Sequence, residues 1–86
     1  GWNTLRIVKP DSPLFKEISD GAYVYFVHSY YGNIGDADEI ISKTYYGTEF
    51  PSALSKKHVF ATQFHPEKSG ETGLQILKNF IEYVRS

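Results

Sequence analysis

The sequence contains no cysteine, and this absence excludes several classes of function. None of the 86 residues is a cysteine, so the chain taken alone forms neither a disulfide nor a thiolate metal site. It also lacks the nucleophile of every mechanism that attacks through a cysteine sulfur. Such chemistry would need a cysteine from polypeptide outside this sequence.

Long apolar runs and an excess of positive charge are missing too. The apolar runs are far shorter than the roughly 20 residues of a membrane-spanning helix, and the opening residues Gly1–Thr4 have no basic-then-apolar signal pattern. Nine Lys and Arg against ten Asp and Glu give a net charge of −1, which does not favour nucleic-acid binding. We expect a soluble, cytoplasmic protein. Because residue 1 is not a methionine, we also expect a fragment of a longer chain.

The composition is that of a folded domain. Hydrophobic residues make up 41% and charged residues 22% of the chain, unlike a disordered or fibrous protein. A chain of this length forms at most one domain and buries only about 60% of its unfolded surface. A two-lobed enzyme with a deep cleft is therefore not expected.

Short apolar and aromatic runs between turn residues predict a strand-rich fold. The predicted strands are Leu5–Val8, Ala22–Tyr30, Glu39–Tyr46, Phe50–Ser55 and Val59–Phe64. Pro10 marks the first as an edge strand, and Ala22–Tyr30 is dense enough in β-branched and aromatic residues to predict a central strand. The last three predict an antiparallel meander. Its second turn, Lys56–His58, lacks the expected glycine, which favours a longer loop or another turn type.

After these strands, the spacing of apolar residues changes to that of an amphipathic helix, which we place at the C-terminal end of the chain. The apolar positions at helical spacing are Leu74, Leu77, Ile81 and Val84, with Phe80 beside them. The positions assigned to the opposite, polar face are Gln75, Lys78, Asn79, Glu82 and Arg85. Ser69 signals the helix start, as does a capping box of Thr72 and Gln75. Glu71 near the start and Arg85 near the end suit the helix dipole.

His65 and Glu67 form the most specific local pattern. Pro66 biases His65 toward an extended backbone, in which residues two apart point the same way. We therefore expect both side chains to reach one cleft at the end of a strand, as an imidazole and its orienting carboxylate do in a catalytic triad. Spacing alone leaves three interpretations open: a catalytic pair, a metal-binding pair and an ordinary polar strand end.

The other histidines add little to a metal site. His58 lies in a lysine-rich turn, where a solvated side chain is expected. His28 follows an apolar run and is either a hydrogen-bonded core histidine or part of a site wall. With no thiolate available, a metal centre has little support from the sequence.

Several separated strings together resemble a known family. They are Gly1–Asn3, Tyr25–Tyr31, Tyr46–Gly47 with Phe50, Ser52 and Ala53, Thr62–Ser69, Gly73–Leu74, Ile76–Leu77 and Asn79–Phe80. In order and spacing they resemble the C-terminal portion of class I, triad-type glutamine amidotransferases. Within that family the chain looks most like the glutaminase subunits of imidazole glycerol phosphate synthases, from histidine biosynthesis.

The resemblance implies a fold and an activity. The fold would be the C-terminal part of one flavodoxin-like, three-layer α/β domain, with a strand meander and one C-terminal helix. The N-terminal half, with the cysteine nucleophile on its elbow, would lie outside residues 1–86. The complete protein would hydrolyse glutamine through a thioester and pass ammonia to a synthase partner, without a cofactor, whereas this chain alone would be inactive.

The resemblance also implies residue roles. His65 would be the general base that activates the cysteine, and Glu67 would orient it. The residues matching the segment that holds glutamine are His28, Ser29 and Tyr30. The residues matching positions near the synthase partner, a (β/α)8 barrel, are Trp2, Tyr25 and Lys68. For Trp2 and Tyr25 the alternative is simple aromatic packing.

Two other functions stay open from the sequence. One is a different amidotransferase of the same superfamily, serving anthranilate, aminodeoxychorismate or guanylate synthesis. The other is a non-catalytic binding or scaffold module that keeps the fold without the nucleophile. If the 86 residues exist alone, the unshielded apolar faces predict self-association.

Overall fold

The computed structural model describes residues 1–26 and 36–86, in which strands dominate and one long helix closes the chain. The strands are β1 (Trp2–Thr4), β2 (Arg6–Ile7), β3 (Tyr23–Tyr25), β4 (Ile40–Tyr46), β5 (Thr48–Lys56) and β6 (Val59–Thr62), and the helix is α1 (Gly70–Arg85). Short 3-10 turns span Pro13–Phe15, Ala37–Glu39 and Pro66–Lys68. No helix within these described ranges is long and apolar enough to cross a membrane.

The predicted meander is confirmed. Strands β4, β5 and β6 pair antiparallel in sequence, and β2 adds to the free side of β4 as an edge strand. Gly47 alone separates β4 from β5, with a φ of +71° that a glycine adopts without strain. The turn between β5 and β6 is short rather than extended, because Lys57 takes a left-handed φ of +55° in place of a glycine.

The prediction of a central strand is wrong for the described part of β3. This strand pairs antiparallel with β1 in a two-stranded sheet, with Trp2 opposite Tyr25 and Thr4 opposite Tyr23. On its other edge, the amide and carbonyl groups of Tyr25 bond to Ser69 and His65. A turn thus satisfies the backbone groups that a neighbouring strand would use in a central position.

Among the described residues, one apolar cluster joins both sheets to the helix. Its buried members are Leu5, Leu14, Phe15, Val24, Phe26, Ile41, Phe50, Ala53, Phe64 and Ile76. The ring of Phe26 meets those of Phe50 and Phe64 edge to face, at centroid distances of 5.7 and 6.0 Å. Each such side chain contributes about 1.5–3 kcal/mol by leaving water. The cluster therefore anchors the end of β3 and the residue that precedes His65.

The helix buries a different face from the one predicted. The buried positions of α1 are Gly73, Ile76 and Asn79, whereas the predicted apolar stripe stays exposed in the described structure, from Leu77 at 39% to Leu74 at 68%. Asn79, assigned to the polar face, donates hydrogen bonds of 2.8 Å to the carbonyls of Leu14 and Lys16. Small and polar side chains let the helix approach closely and satisfy buried backbone groups there.

The predicted capping box is also wrong. The helix begins at Gly70, so Thr72 and Gln75 lie inside it. Ser69 occupies the N-cap position, but its hydroxyl makes no capping bond because it bonds elsewhere. Glu71 in the first turn and Arg85 in the last do complement the helix dipole as expected.

Candidate active site

His65 stands where the sheet ends and a tight turn begins. Its backbone is extended, with φ −102° and ψ 100°, and Pro66 opens the 3-10 turn that follows. The buried side chain of Phe64 fixes one side of this junction in the core. On the other side, the His65 amide donates a 2.8 Å hydrogen bond to the Tyr25 carbonyl. The backbone hydrogen bond and the core packing of Phe64 together fix the position from which the imidazole projects.

The side chains of His65 and Glu67 come together. Imidazole Nδ1 lies 3.2 Å from Glu67 Oε2. The structural cause differs from the one inferred from the sequence, because Glu67 lies in the 3-10 turn and not in an extended segment. The side chains are 42% and 58% exposed, so the pair lies at the surface and is open to a reacting group.

The surroundings of Glu67 favour its ionised form. Its own backbone amide and, second, the hydrogen bond from His65 lower the pKa of the Glu67 carboxyl below its ordinary value, with a smaller effect of the nearby Lys68 charge. An ionised carboxylate only accepts hydrogen bonds. Nδ1 of His65 is therefore the donor in this contact, and whenever the ring is neutral its Nε2 carries a lone pair that can accept a proton.

The three residues predicted near a partner surround the same turn. The rings of Trp2 and Tyr25 meet edge to face at 5.6 Å, and Trp2 remains 55% exposed. Lys68 is exposed at the end of the His65 turn. The main chain of Tyr25 holds His65 directly. Trp2 therefore packs against Tyr25 and also keeps an exposed surface. Aromatic packing does not exclude a contact with a partner.

Among the other candidate residues, His58 contacts a different part of the fold, and three lie outside the described residues. His28, Ser29 and Tyr30, predicted to hold glutamine, lie outside the described residues. His58 is exposed as expected, but its Nδ1 also lies 2.7 Å from the Tyr83 hydroxyl. In residues 1–26 and 36–86, no three His, Cys, Asp or Glu side chains cluster as metal ligands do.

Two residues that shape the turn were missed as site residues by the sequence analysis. The hydroxyl of Ser69 accepts a 2.9 Å hydrogen bond from the Tyr25 amide and donates one of 2.6 Å to the His65 carbonyl. Gly73 packs against the Pro66 carbonyl. The available signal was a pair of small residues four apart, which share a helix face, directly after the histidine string.

Comparison with known proteins gives consistent results. The sequence profile of the family described as "Glutamine amidotransferase class-I" matches residues 1–83. The chain is 60% identical over 84 residues to "Imidazole glycerol phosphate synthase subunit HisH" of Methanocaldococcus jannaschii, covering 98% of this chain and 42% of that protein. The protein of the same name from Caldanaerobacter subterraneus subsp. tengcongensis is 56% identical over 99% of this chain and 41% of its own length.

A third relative, "Imidazole glycerol phosphate synthase subunit HisH 1" of Methanococcus maripaludis, is 54% identical over 98% of this chain and 41% of its own length. The chain thus spans about two fifths of the length of these curated relatives. The strand meander and closing helix expected for the α/β domain of this family are both present. The match over nearly the whole chain shows that it belongs to the class I glutamine amidotransferases.

Proposed function

We propose that this chain is the C-terminal part of a glutaminase domain that serves an imidazole glycerol phosphate synthase in histidine biosynthesis. The observation that carries the proposal is the 3.2 Å contact between His65 Nδ1 and Glu67 Oε2, in a chain that belongs to the class I glutamine amidotransferases. A cysteine nucleophile would come from the remainder of a longer protein, and the chain alone would be inactive.

The geometry suits the following mechanism. Nε2 of His65 takes the proton of the cysteine thiol, and the thiolate attacks the side-chain amide carbon of glutamine. The imidazolium then gives its proton to the leaving nitrogen, so that ammonia departs and a thioester remains. His65 next removes a proton from water, which attacks the thioester and releases glutamate and the thiol. Glu67 stabilises each imidazolium and holds the ring orientation, and no step needs a cofactor.

The turn also suits a partner-facing site. Tyr25 and Lys68 each hydrogen-bond the main chain of His65, and Trp2 packs on the Tyr25 ring. We assign these three residues to a surface for a synthase subunit with a (β/α)8 barrel, in a cytoplasmic heterodimer. Ammonia released beside His65 would have a short path to such a partner. His28, Ser29 and Tyr30 would hold the α-amino acid end of glutamine.

Substitutions in the full-length protein, assayed for glutamine hydrolysis with its synthase present, test the proposal. We expect His65→Ala and Glu67→Gln each to lower kcat by about 10²-fold or more, because proton transfer or its orientation is lost. His58→Ala is the control, since this exposed histidine bonds Tyr83 and not the site. Unchanged hydrolysis by His65→Ala would overturn the assignment.

Two alternative functions can be distinguished from this proposal by experiment. A different acceptor, in anthranilate, aminodeoxychorismate or guanylate synthesis, would be shown by the synthase that co-purifies with the full-length protein. The absence of cysteine favours the scaffold module if the natural product is this short. An intact mass near 9.8 kDa in cells would support the scaffold module, and a mass of a domain of about 150 residues or more would support the glutaminase.

A further inference from the structure

We propose that Ser69 is a positioning residue that fixes the orientation of His65 through the main chain. This inference rests on the proposed glutaminase function, because it assigns a role in presenting the general base. Ser69 is 2% exposed, and it lies four residues after His65, at the N-cap position of α1. Its hydroxyl bonds main-chain atoms of Tyr25 and His65, so its effect on catalysis acts through the position of His65.

The hydroxyl of Ser69 closes a ring of hydrogen bonds among three residues. It accepts from the Tyr25 amide at 2.9 Å and donates to the His65 carbonyl at 2.6 Å. The His65 amide in turn donates to the Tyr25 carbonyl at 2.8 Å. Both main-chain polar groups of His65 are therefore held, its amide by strand β3 and its carbonyl by Ser69 together with the Lys68 amide, which donates to it at 3.0 Å.

Because the Ser69 hydroxyl takes part in this ring, it does not cap the helix. A serine at the N-cap position ordinarily accepts a hydrogen bond from the first turn of the helix, which stabilises the helix. Ser69 makes no such bond. Its backbone instead joins the two elements, since its amide donates to the Pro66 carbonyl and its carbonyl accepts from the Gly73 amide. The side chain is thus committed to the His65 turn.

Fixing the backbone of His65 matters because a general base acts only at hydrogen-bond distance. A displacement of about 1 Å costs roughly 10²-fold in rate. The contact between His65 and Glu67 is short-range and exposed, so it cannot by itself hold the main chain. Loss of the Ser69 hydroxyl would remove the acceptor of the partly buried Tyr25 amide and one of the two hydrogen bonds to the His65 carbonyl, and the turn would relax.

The test uses the full-length protein with its synthase. We expect Ser69→Ala and the near-isosteric Ser69→Cys to lower kcat for glutamine hydrolysis about tenfold to 10²-fold, with KM changed less than about twofold, since ground-state binding is untouched. Ser69→Thr, which restores a hydroxyl, should recover most of the loss. Ser69→Cys keeps the volume and so preserves folding if Ser69→Ala does not fold.

A matched control separates positioning from general stability. Ser52 is fully buried, and its hydroxyl bonds that of Ser42 at 2.8 Å in the sheet. Ser52→Ala therefore loses one buried hydroxyl bond without altering the His65 turn, and its kcat per folded molecule should match the parent. Equal kcat losses in the Ser52 and Ser69 variants would overturn the proposal.

A second readout needs no catalysis. Nitrogen-15 NMR of the His65 ring should show one tautomer, protonated at Nδ1, in the parent and a mixture in Ser69→Ala. If His65→Ala keeps full hydrolysis, the proposed function fails regardless of Ser69. If His65 is essential but the Ser69 variants keep its tautomer and kcat, only the positioning role fails.

Discussion

The carbonyl oxygen of Pro66 occupies the space that a side chain on Gly73 would need. An ideal Cβ built on Gly73 would stand 1.8 Å from this oxygen and 2.8 Å from the Cβ of Ser69. The first turns of α1 therefore press directly on the turn that follows His65. Because the obstruction is backbone and not a flexible side chain, only glycine fits at this position.

This contact predicts a large effect of Gly73→Ala. We expect the free energy of unfolding to fall by about 2 kcal/mol or more, since overpacking against backbone forces a shift, and glutamine hydrolysis to fall as the His65 turn moves. Urea denaturation and steady-state kinetics of the full-length protein measure both. Lys78→Ala, at an exposed position of the same helix, should stay within about 0.5 kcal/mol. A Gly73→Ala protein as stable as the parent would contradict the packing.

Asn79 predicts a second stability effect in the helix. Its amide donates to two backbone carbonyls, those of Leu14 and Lys16, which lose this partner in Asn79→Ala. We expect a loss of about 1–3 kcal/mol in thermal or urea unfolding. Asn79→Asp should cost more at neutral pH than at acid pH, because an ionised carboxylate facing two carbonyl oxygens is repelled, whereas its protonated form donates one bond. Equal costs at both pH values would argue against this geometry.

Lys57 predicts a stabilising substitution. Its φ of +55° is unfavourable for a residue with a side chain, by about 1 kcal/mol, so Lys57→Gly should raise the free energy of unfolding by about 0.5 kcal/mol after the entropy of glycine is included. The neighbouring Lys56→Gly, at the end of β5, should instead lower it. Opposite signs in denaturant midpoints are the expected result. A loss in both variants would contradict the strained turn.

Glu67 predicts a defined response to His65→Ala in a carbon-13 titration of its carboxyl. The pKa of Glu67 should rise when the imidazole is removed but remain below the ordinary value, because the larger cause of its lowering is the backbone amide and not His65. Lys68→Ala should raise the pKa less. A full return to the ordinary value in His65→Ala would show that the backbone bond contributes nothing.

The lowered pKa of Glu67 also determines how its contribution to folding stability changes with pH. The folded-state pKa of Glu67 is lowered, so its contribution to stability is present above the unfolded-state pKa and is lost as the pH falls through the folded one. The stability difference between parent and Glu67→Gln should therefore shrink on acidification. A difference that grows toward low pH would have the wrong sign.

The exposed side of α1 predicts association of the 86-residue chain when it is produced alone. Leu74 is 68% and Ile81 52% exposed on the same helix, and apolar patches of this kind promote association. We expect concentration-dependent oligomers in sedimentation experiments and a shift toward monomer in the double variant Leu74→Lys, Ile81→Lys. A monomer at all concentrations in the parent chain would contradict this prediction.

Residue patterns predicted the local elements well, because strands and hairpins follow from propensity and turn chemistry. The meander from β4 to β6 is where apolar runs and turn residues put it, and the helix begins directly after Ser69, one of its two predicted start signals. Asn79 shows the limit. Its polarity predicted a solvent-facing position. The carbonyls to which it donates belong to residues far away in sequence, and helical periodicity contains no information about such contacts.

The local sequence was sufficient to identify His65 as a candidate base and Glu67 as its carboxylate partner. Residues two apart in the chain remain close in any local conformation. How that histidine is held depends on contacts across the fold: Tyr25 is 44 residues from Ser69 in sequence, and α1 reaches the turn only because Gly73 has no side chain. Long-range backbone bonds and close packing have no local signature, so only the folded chain could determine them.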